Sequence, residues 1–196
     1  MVIITVSKTV FPGSSPGTPA TISCNPFVIE THPFGIFAPA KAKYLLLGSF
    51  VAVKKDESYD WFYGSKRNQF WPIIEEVYNT KLPNKDARVE LFTKLSIAIA
   101  DMIYQCERKQ GNSLDSNLVN LIYNTPALGK LLKDNPIKRV LFSSRFVEKE
   151  FKKHFKELIS AYSQIEYMTL PSPSPRYAAI SRAEKVKIYQ QLFPLQ

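Results

Sequence analysis

Tyr44-Leu45-Leu46-Leu47-Gly48-Ser49-Phe50 is the stretch of this sequence that decides the fold. Its leucine run predicts a strand buried on both faces, because a short unbroken apolar run is typical of a parallel sheet inside a protein. Three similar runs follow along the chain, and together the four predict one sheet. The further runs are residues 97–100, which end at Asp101, residues 137–142 and residues 165–170.

Amphipathic stretches separate these runs and predict helices, because their apolar residues recur at three- and four-residue spacing. In residues 68–78, for example, Phe70, Ile73 and Val77 fall on one helical face. Alternating strands and helices predict an α/β protein, a three-layer α/β/α sandwich with a central, mostly parallel four-stranded sheet. The predicted helices are residues 68–78, 86–96, 126–133, 145–159 and 181–192.

The predicted sheet also indicates where a ligand would bind. In sheets of this kind ligands lie beyond the carboxyl ends of the strands. We therefore expect one functional edge, formed by the segments that follow Leu47, Ala100, Phe142 and Leu170.

The first 26 residues differ in composition from the rest of the chain. Between positions 9 and 22, ten of fourteen residues are Pro, Gly, Ser or Thr, which cannot bury much apolar surface. Residues 1–26 are thus predicted to be a leader, disordered or loosely attached, and residues 27–196 to form a single domain. Alternatively, the leader could pack across the fold through Phe11 and the apolar residues 2–6.

Charge and length narrow the class of protein. The chain has 196 residues, 45% of them hydrophobic, which is enough for the core of one ordinary domain. It carries 26 Lys and Arg against 17 Asp and Glu, a net charge of +9 that favours a polyanionic partner such as a nucleic acid. The excess lies in the C-terminal part, where residues 111–196 hold 13 basic and 7 acidic side chains.

Several classes of protein are excluded by what the sequence lacks. No apolar run approaches the roughly 18 residues of a membrane span, so we expect no membrane partner and a cytoplasmic protein, nucleoid-associated if the source is prokaryotic. Cys24 and Cys106 form no C-x-x-C pair, and His32 and His154 lie far apart. We therefore expect no metal site and no cofactor, and Cys106 is interpreted as a buried thiol.

Two segments at the predicted edge contain residue types that could bind a ligand. Residues 61–71 combine aromatic rings with Lys66 and Arg67, a combination that suits a flipped base and its phosphates but is also typical of an ordinary aromatic core. Residues 170–178 hold three prolines, two serines and Arg176 just before a helix start. That arrangement suits a phosphate, although a plain Pro-rich capping loop is an equal alternative.

Taken together, these segments resemble the uracil-DNA glycosylase superfamily, in its mismatch-specific and hypoxanthine-DNA glycosylase-like branch. The resemblance spans about residues 28–193 and keeps the motifs in family order. The matching motifs are His32-Pro33-Phe34, Leu46-Leu47-Gly48-Ser49-Phe50, Phe62-Tyr63-Gly64, Arg67-Asn68-Gln69-Phe70-Trp71, Asp101 with Cys106-Glu107-Arg108, Leu114-Asp115-Ser116-Asn117 and Leu170-Pro171-Ser172-Pro173-Ser174-Pro175.

The resemblance implies a monofunctional DNA glycosylase of base-excision repair. Such an enzyme flips a deaminated base, hypoxanthine or uracil, out of DNA and hydrolyses its N-glycosidic bond without a metal or a lysine nucleophile. The implied partner is DNA that contains a deaminated base, and we expect the protein to act as a monomer.

The resemblance also assigns roles to the base pocket. Gly48, Ser49 and Phe50 would line it, and Tyr63 would stack on the extruded base unless it is a core ring. Mismatch-specific relatives carry a water-positioning Asn where this chain has Phe50, whereas the hypoxanthine-type branch relies on the Asn of the Asn-x-Phe-Trp segment. Asn68 is thus the predicted catalytic residue, with helix capping as the alternative.

Further residues are assigned to DNA. Ser172 and Ser174 would contact the phosphates that flank the flipped base, and Arg176 would reach a phosphate or fill the gap in the stack, unless it is a solvated charge. Asp101 could orient a water, but capping or pairing with Arg108 is the favoured interpretation.

The remaining charged and ring side chains are predicted to be structural. His32 is expected to pack against the sheet and His154 to lie on the surface. The lysines of residues 149–156 are expected to be a solvated face that is partly paired with glutamates.

Two other functions compete with glycosylase activity. A catalytically silent nucleic-acid-binding module would keep the fold and basic surface but lack turnover, because Val51-Ala52 replaces the family's usual continuation after Phe50. A nucleotide-binding enzyme is disfavoured, because Gly48-Ser49-Phe50 is neither a G-x-G-x-x-G nor a Walker sequence.

Overall fold

The computed structural model describes residues 28–52, 59–109 and 114–195, so the predicted leader lies outside the described residues. The described strands are β1 (Ile29–Thr31), β2 (Tyr44–Gly48), β3 (Ile97–Asp101), β4 (Ile103–Arg108), β5 (Leu118–Tyr123), β6 (Arg139–Phe142) and β7 (Glu166–Thr169). The α-helices are α1 (Phe70–Tyr78), α2 (Lys85–Lys94), α3 (Thr125–Asp134), α4 (Arg145–His154), α5 (Lys156–Ala161) and α6 (Arg182–Leu192).

The central sheet has four strands in the order β3-β2-β6-β7, and all neighbouring pairs are parallel. Leu46 of β2 pairs with Ile99 on one side and Leu141 on the other. All three side chains are fully buried, as expected for a strand covered on both faces. The predicted four-stranded sheet is confirmed.

Alternate residues of β2 point into two separate cores. Leu45 and Leu47 belong to a cluster that includes residues of α3 and α4, whereas Leu46 belongs to a cluster with residues of α1, α2 and α6. Helices therefore cover both faces of the sheet, which confirms the predicted three-layer α/β/α sandwich.

A second sheet was not predicted from the sequence. β1, β4 and β5 form an antiparallel sheet in the order β1-β4-β5, with Ile29 opposite Glu107 and Ile103 opposite Tyr123. The pairing of β4 with β5 shifts register twice, so its side chains do not alternate cleanly between the two faces. A broken alternation gives little sequence signal for a strand.

One predicted helix is also interrupted. Residues 145–159 were expected to be continuous, but α4 ends at His154 and α5 begins at Lys156. Phe155 between them leaves the helical conformation (φ −118°, ψ 32°) and is buried in the core. None of the helices within the described ranges has the length and apolarity needed to cross a membrane.

Candidate functional site

The carboxyl ends of the parallel strands form one edge, and their hydrogen bonds continue into the loops beyond them. The amide of Met102 donates to the Gly48 carbonyl, and the amide of Ser143 donates to that of Leu47, both at 2.9 Å. The amide of Leu170 donates to the Phe142 carbonyl at 2.9 Å. The four segments expected at this edge are therefore adjacent.

Gly48 is held at this edge by very close packing. A Cβ atom there would lie 2.1 Å from Asp101 Oδ1 and 2.9 Å from the Tyr63 hydroxyl oxygen. Atoms that close would overlap, so no larger residue fits without movement of its neighbours. Gly48 thus lets β2 approach two polar side chains that point toward its backbone.

Asp101 and His32 form a buried pair. His32 Nε2 lies 2.9 Å from Asp101 Oδ2, and both side chains are more than nine-tenths buried. The amide of Phe34 donates to His32 Nδ1 at 3.3 Å, which leaves Nε2 as the nitrogen that donates to the carboxylate. The burial of His32 confirms the prediction that it packs against the sheet.

The favoured pairing of Asp101 with Arg108 is wrong. Arg108 Nε instead donates to Glu30 Oε1 at 2.7 Å, and its Nη2 donates to the Val51 carbonyl at 2.7 Å. Glu30 lies on β1, and the antiparallel pairing of β1 with β4 brings the two charges together. Residues 29–31 carry no strand signal in the sequence, so this partner could not be predicted.

Ser49 and Phe50 follow Gly48 and are both half-buried. The Ser49 hydroxyl donates to Asp115 Oδ1 at 2.7 Å, so the Gly48-Ser49-Phe50 segment is fixed to the 3₁₀ turn (Asp115–Asn117) that precedes β5. Burial raises the pKa of the Asp115 carboxyl, and the nearby Asp101 raises it further, against the opposing effects of Ser49 and Arg108. The Phe50 ring packs 5.6 Å from the His32 ring.

Tyr63 contributes its ring to the aromatic core. The ring stacks on Phe70 with centroids 4.4 Å apart, and its backbone has a positive φ of 55°. Its hydroxyl is buried without a hydrogen-bond partner among the described residues, and burial raises its pKa well above the ordinary value. Ser143 lies close enough to lower that pKa, but it is not placed to make the bond. Phe70 occupies one face of the ring predicted to stack on a base.

Asn68 lies at the start of α1. Its Oδ1 accepts a hydrogen bond from the Phe70 amide at 2.9 Å, so it satisfies the first free amide of α1 from the residue before the N-cap, which is Gln69. The side chain is half-buried, and its Nδ2 group makes no hydrogen bond to a described residue. Asn68 can thus hold the helix start through its oxygen and still donate through its nitrogen.

The Pro-Ser-Pro-Ser-Pro loop lies directly beside this helix start. The Gln69 amide donates to the Pro173 carbonyl at 3.0 Å, which joins the Asn68 segment to the loop. Within the loop, Ser172 Oγ accepts from the Ser174 amide and Ser174 Oγ accepts from the Arg176 amide, each at 3.3 Å. Both serines are half-buried, and Arg176 is exposed.

Lys185 was missed as a site residue, because a lysine on an amphipathic helix is usually solvated. Its exposed fraction is only 2%, and its Nζ donates to Gln69 Oε1 at 3.1 Å and to the Tyr177 carbonyl at 2.9 Å. Burial lowers its pKa. The only sequence feature that hints at this burial is the position of Lys185 beside Val186, an apolar residue of α6.

The other charged residues behave largely as predicted. Lys152 pairs with Glu148 at 2.7 Å on α4, His154 is exposed, and burial raises the pKa of the Cys106 thiol to about 11. No group of three or more His, Cys, Asp or Glu in the described parts of the chain is placed to hold a metal ion.

A solved structure has a similar architecture. It is the solution NMR structure of a protein from Methanosarcina acetivorans, described as a candidate uracil DNA glycosylase. The two chains share one fold. The TM-score is 0.62 over 84% of this chain and 99% of the other, at 20% sequence identity. No family model matches the sequence, and neither does any curated protein.

Proposed function

We propose that this protein is a monofunctional DNA glycosylase of the uracil-DNA glycosylase superfamily, in its mismatch-specific and hypoxanthine-type branch. It flips a deaminated base, hypoxanthine or uracil, out of DNA and hydrolyses the N-glycosidic bond in base-excision repair. The observation that carries the proposal is the hydrogen bond from the Gln69 amide to the Pro173 carbonyl. That bond joins a candidate catalytic side chain to a candidate phosphate-binding loop, at the edge of the sheet where ligands bind.

The loop supports phosphate binding through three donors. The hydroxyls of Ser172 and Ser174 use their oxygens to accept backbone amides, so their hydrogens can donate to phosphate oxygens. The exposed guanidinium of Arg176 adds a permanent positive charge. Binding of the phosphates on both sides of one nucleotide would hold the backbone in the bent path that an extruded base requires.

Gly48, Ser49, Phe50 and Tyr63 would form the base pocket. Gly48 lets the side chains of Asp101 and Tyr63 pack against the backbone beside the pocket, and Phe50 offers an aromatic surface to the base. Asp101 and the Tyr63 hydroxyl adjoin the same glycine, so buried polar groups lie directly behind this segment. Stacking on an aromatic ring depends little on the identity of the base, so it would suit both uracil and hypoxanthine.

Asn68 would position the attacking water through its Nδ2 group. The water oxygen forms a bond to C1′ of the sugar while the bond from C1′ to the base nitrogen breaks, and the electron pair of that bond leaves with the base. The water releases one proton to solvent or to the departing base. On this proposal the enzyme acts as a monomer on DNA in the cytoplasm, at the nucleoid if the source is prokaryotic, and needs no metal or cofactor.

One contact favours a second candidate function, a catalytically silent nucleic-acid-binding module. Asn68 Oδ1 already accepts the Phe70 amide, so the side chain has a structural role that requires no chemistry. A module of this kind would bind DNA through the same loop and release no base.

Base release separates the two candidates. Labelled duplexes, each with one uracil, hypoxanthine or xanthine, are incubated with the protein and then cleaved with alkali at any abasic site, with an undamaged duplex as control. Release of uracil or hypoxanthine supports the proposed glycosylase and identifies its base. Salt-sensitive binding without release of any base would support the silent module.

A further inference from the structure

The ammonium of Lys185 is buried between the two segments that the proposed function uses. Its Nζ donates to Gln69 Oε1 at 3.1 Å and to the Tyr177 carbonyl at 2.9 Å, and it lies 5.3 Å from the centre of the Tyr177 ring. Gln69 is the neighbour of Asn68, and Tyr177 is the neighbour of Arg176. A single side chain of α6 therefore contacts both the start of α1 and the end of the loop.

Packing alone does not account for a lysine at this position. A buried cation loses its hydration, and no carboxylate among the described residues lies within 4 Å of this one to compensate. An apolar side chain of similar length would fill the same space without that cost. What an apolar side chain cannot do is donate to both Gln69 and Tyr177.

Tyr189 provides a matched contact on the same helix, one turn later. Its hydroxyl donates to the Pro171 carbonyl at 3.0 Å, and its side chain is fully buried. This bond reaches the beginning of the loop but does not involve Gln69. Tyr189 therefore stabilises the loop in one place, whereas Lys185 connects the loop to the helix that carries Asn68.

We infer that Lys185 is a positioning residue for base release, which holds Asn68 in register with the phosphate-binding loop. The inference rests on the proposed glycosylase function. When the loop binds DNA, the connection through Lys185 fixes where the water-positioning side chain lies relative to the bound nucleotide. Misplacement of a catalytic group by about 1 Å can slow a reaction by up to a hundredfold, so the connection should affect rate more than binding.

The kinetic test compares K185M with Y189F in the full chain. Single-turnover base release is measured at saturating protein, and DNA affinity is measured by fluorescence anisotropy across a range of salt concentrations. We expect the maximal rate of K185M to fall by about tenfold or more. Its Kd for DNA and the salt dependence of that Kd should stay close to those of the parent. Y189F should lose less than about threefold in rate. The melting temperature of K185M should stay close to that of the parent, because removal of a buried charge offsets the loss of two hydrogen bonds.

Two results would overturn the inference. One is a rate for K185M that is no lower than that of Y189F. The other is a weaker Kd with a salt slope reduced by about one, which would mean that Lys185 contacts a phosphate directly. Should K185M fail to fold, Q69M removes the other end of the same hydrogen bond and is judged by the same criteria.

Amide hydrogen exchange in the free protein tests the connection without relying on glycosylase activity. K185M should accelerate exchange at the amides of Gln69 and Tyr177 by at least about tenfold relative to Y189F. Equal exchange in the two variants would overturn the connection. Absence of base release by the parent protein, together with this difference in exchange, would refute the proposed function and leave the structural connection standing.

Discussion

At the scale of single residues, Asn68 has two separable uses. Its oxygen holds the start of α1 by accepting the Phe70 amide, and its nitrogen is the proposed donor to the attacking water. N68A removes both and should lower the free energy of unfolding by about 1 kcal/mol. N68S keeps a capping oxygen but loses the amide, so it should fold as stably as the parent.

Both variants should lose most of their base release if the amide acts in the chemistry. Chemical denaturation and single-turnover release, measured on the same preparations, test this expectation. Base release by N68S close to that of the parent would show that the side chain is only a helix cap.

Asp115 should make the protein less stable as the pH rises, whereas an acidic group with a lowered pKa does the opposite. Burial raises the pKa of its carboxyl above the ordinary 3.8, so the folded state binds this proton more tightly than the unfolded chain does. The ionised carboxyl therefore lowers the free energy of unfolding. This loss is absent below the pKa of Asp115 in the unfolded chain and fully present above its pKa in the folded protein. D115N removes the ionisation but keeps an oxygen to accept the Ser49 hydroxyl, so it should be more stable than the parent at pH 7.

The advantage of D115N should shrink as the pH falls from 7 toward 4, as followed by denaturant midpoints at each pH. D134N is the control, because Asp134 is exposed and pairs with Lys130 at 2.6 Å. It should show no such gain. An equal gain in both variants would contradict the role of burial at Asp115.

At the scale of secondary-structure elements, the approach of β2 to β3 depends on Gly48. G48A would place a methyl group 2.1 Å from Asp101 Oδ1, and we expect a loss of about 1–3 kcal/mol in unfolding free energy. G129A in the middle of α3 is the matched control, since its methyl would lie 3.6 Å from Leu158.

The control should gain about 0.5–1 kcal/mol, because alanine favours a helix over glycine. Denaturant unfolding of the two variants measures the difference. A stable G48A would show that the end of β2 can move away from Asp101 at little cost.

Elements with a regular pattern could be predicted from the sequence, and irregular ones could not. The leucines of β2 and the helical spacing of α1 depend only on neighbouring residues, so both were predicted within a few positions. The pairing of β1 with β4 depends on contacts between residues 29–31 and 105–107, and β4 is irregular where it meets β5. Local pattern contains no information about such pairing.

The same distinction separates the candidate site residues. The position of Asn68 and of the serine loop at the carboxyl edge followed from the strand ends that precede them. The partner of Asp101 and the burial of Lys185 could not be predicted in this way, because the residues they contact, His32 and Gln69, come from distant parts of the chain. Charged residues in particular are hard to place, since their partners are set by tertiary packing.

At the scale of the whole molecule, the net charge of +9 favours a polyanionic partner, but for the proposed DNA binding the place of each charge matters more than the total. Arg176 lies in the loop at the carboxyl edge, whereas Lys138 lies at the opposite edge, directly before β6, and both are exposed. R176A should weaken DNA binding and reduce the slope of log Kd against log salt by about 0.9.

K138A removes the same charge and should leave that slope almost unchanged. Anisotropy titrations at several salt concentrations distinguish the two variants. Equal slopes in both would mean that DNA responds to net charge alone and does not lie along the carboxyl edge.

The pairing of His32 with Asp101 also affects when the protein can assemble. The two residues are 69 positions apart, so a ribosome adding about 5–20 residues per second needs roughly 3 to 14 s between them. During that interval the imidazole is synthesised but has no carboxylate to meet, and closing so long a loop afterwards adds an entropic barrier. The buried pair can therefore form only after the second half of the chain has begun to emerge.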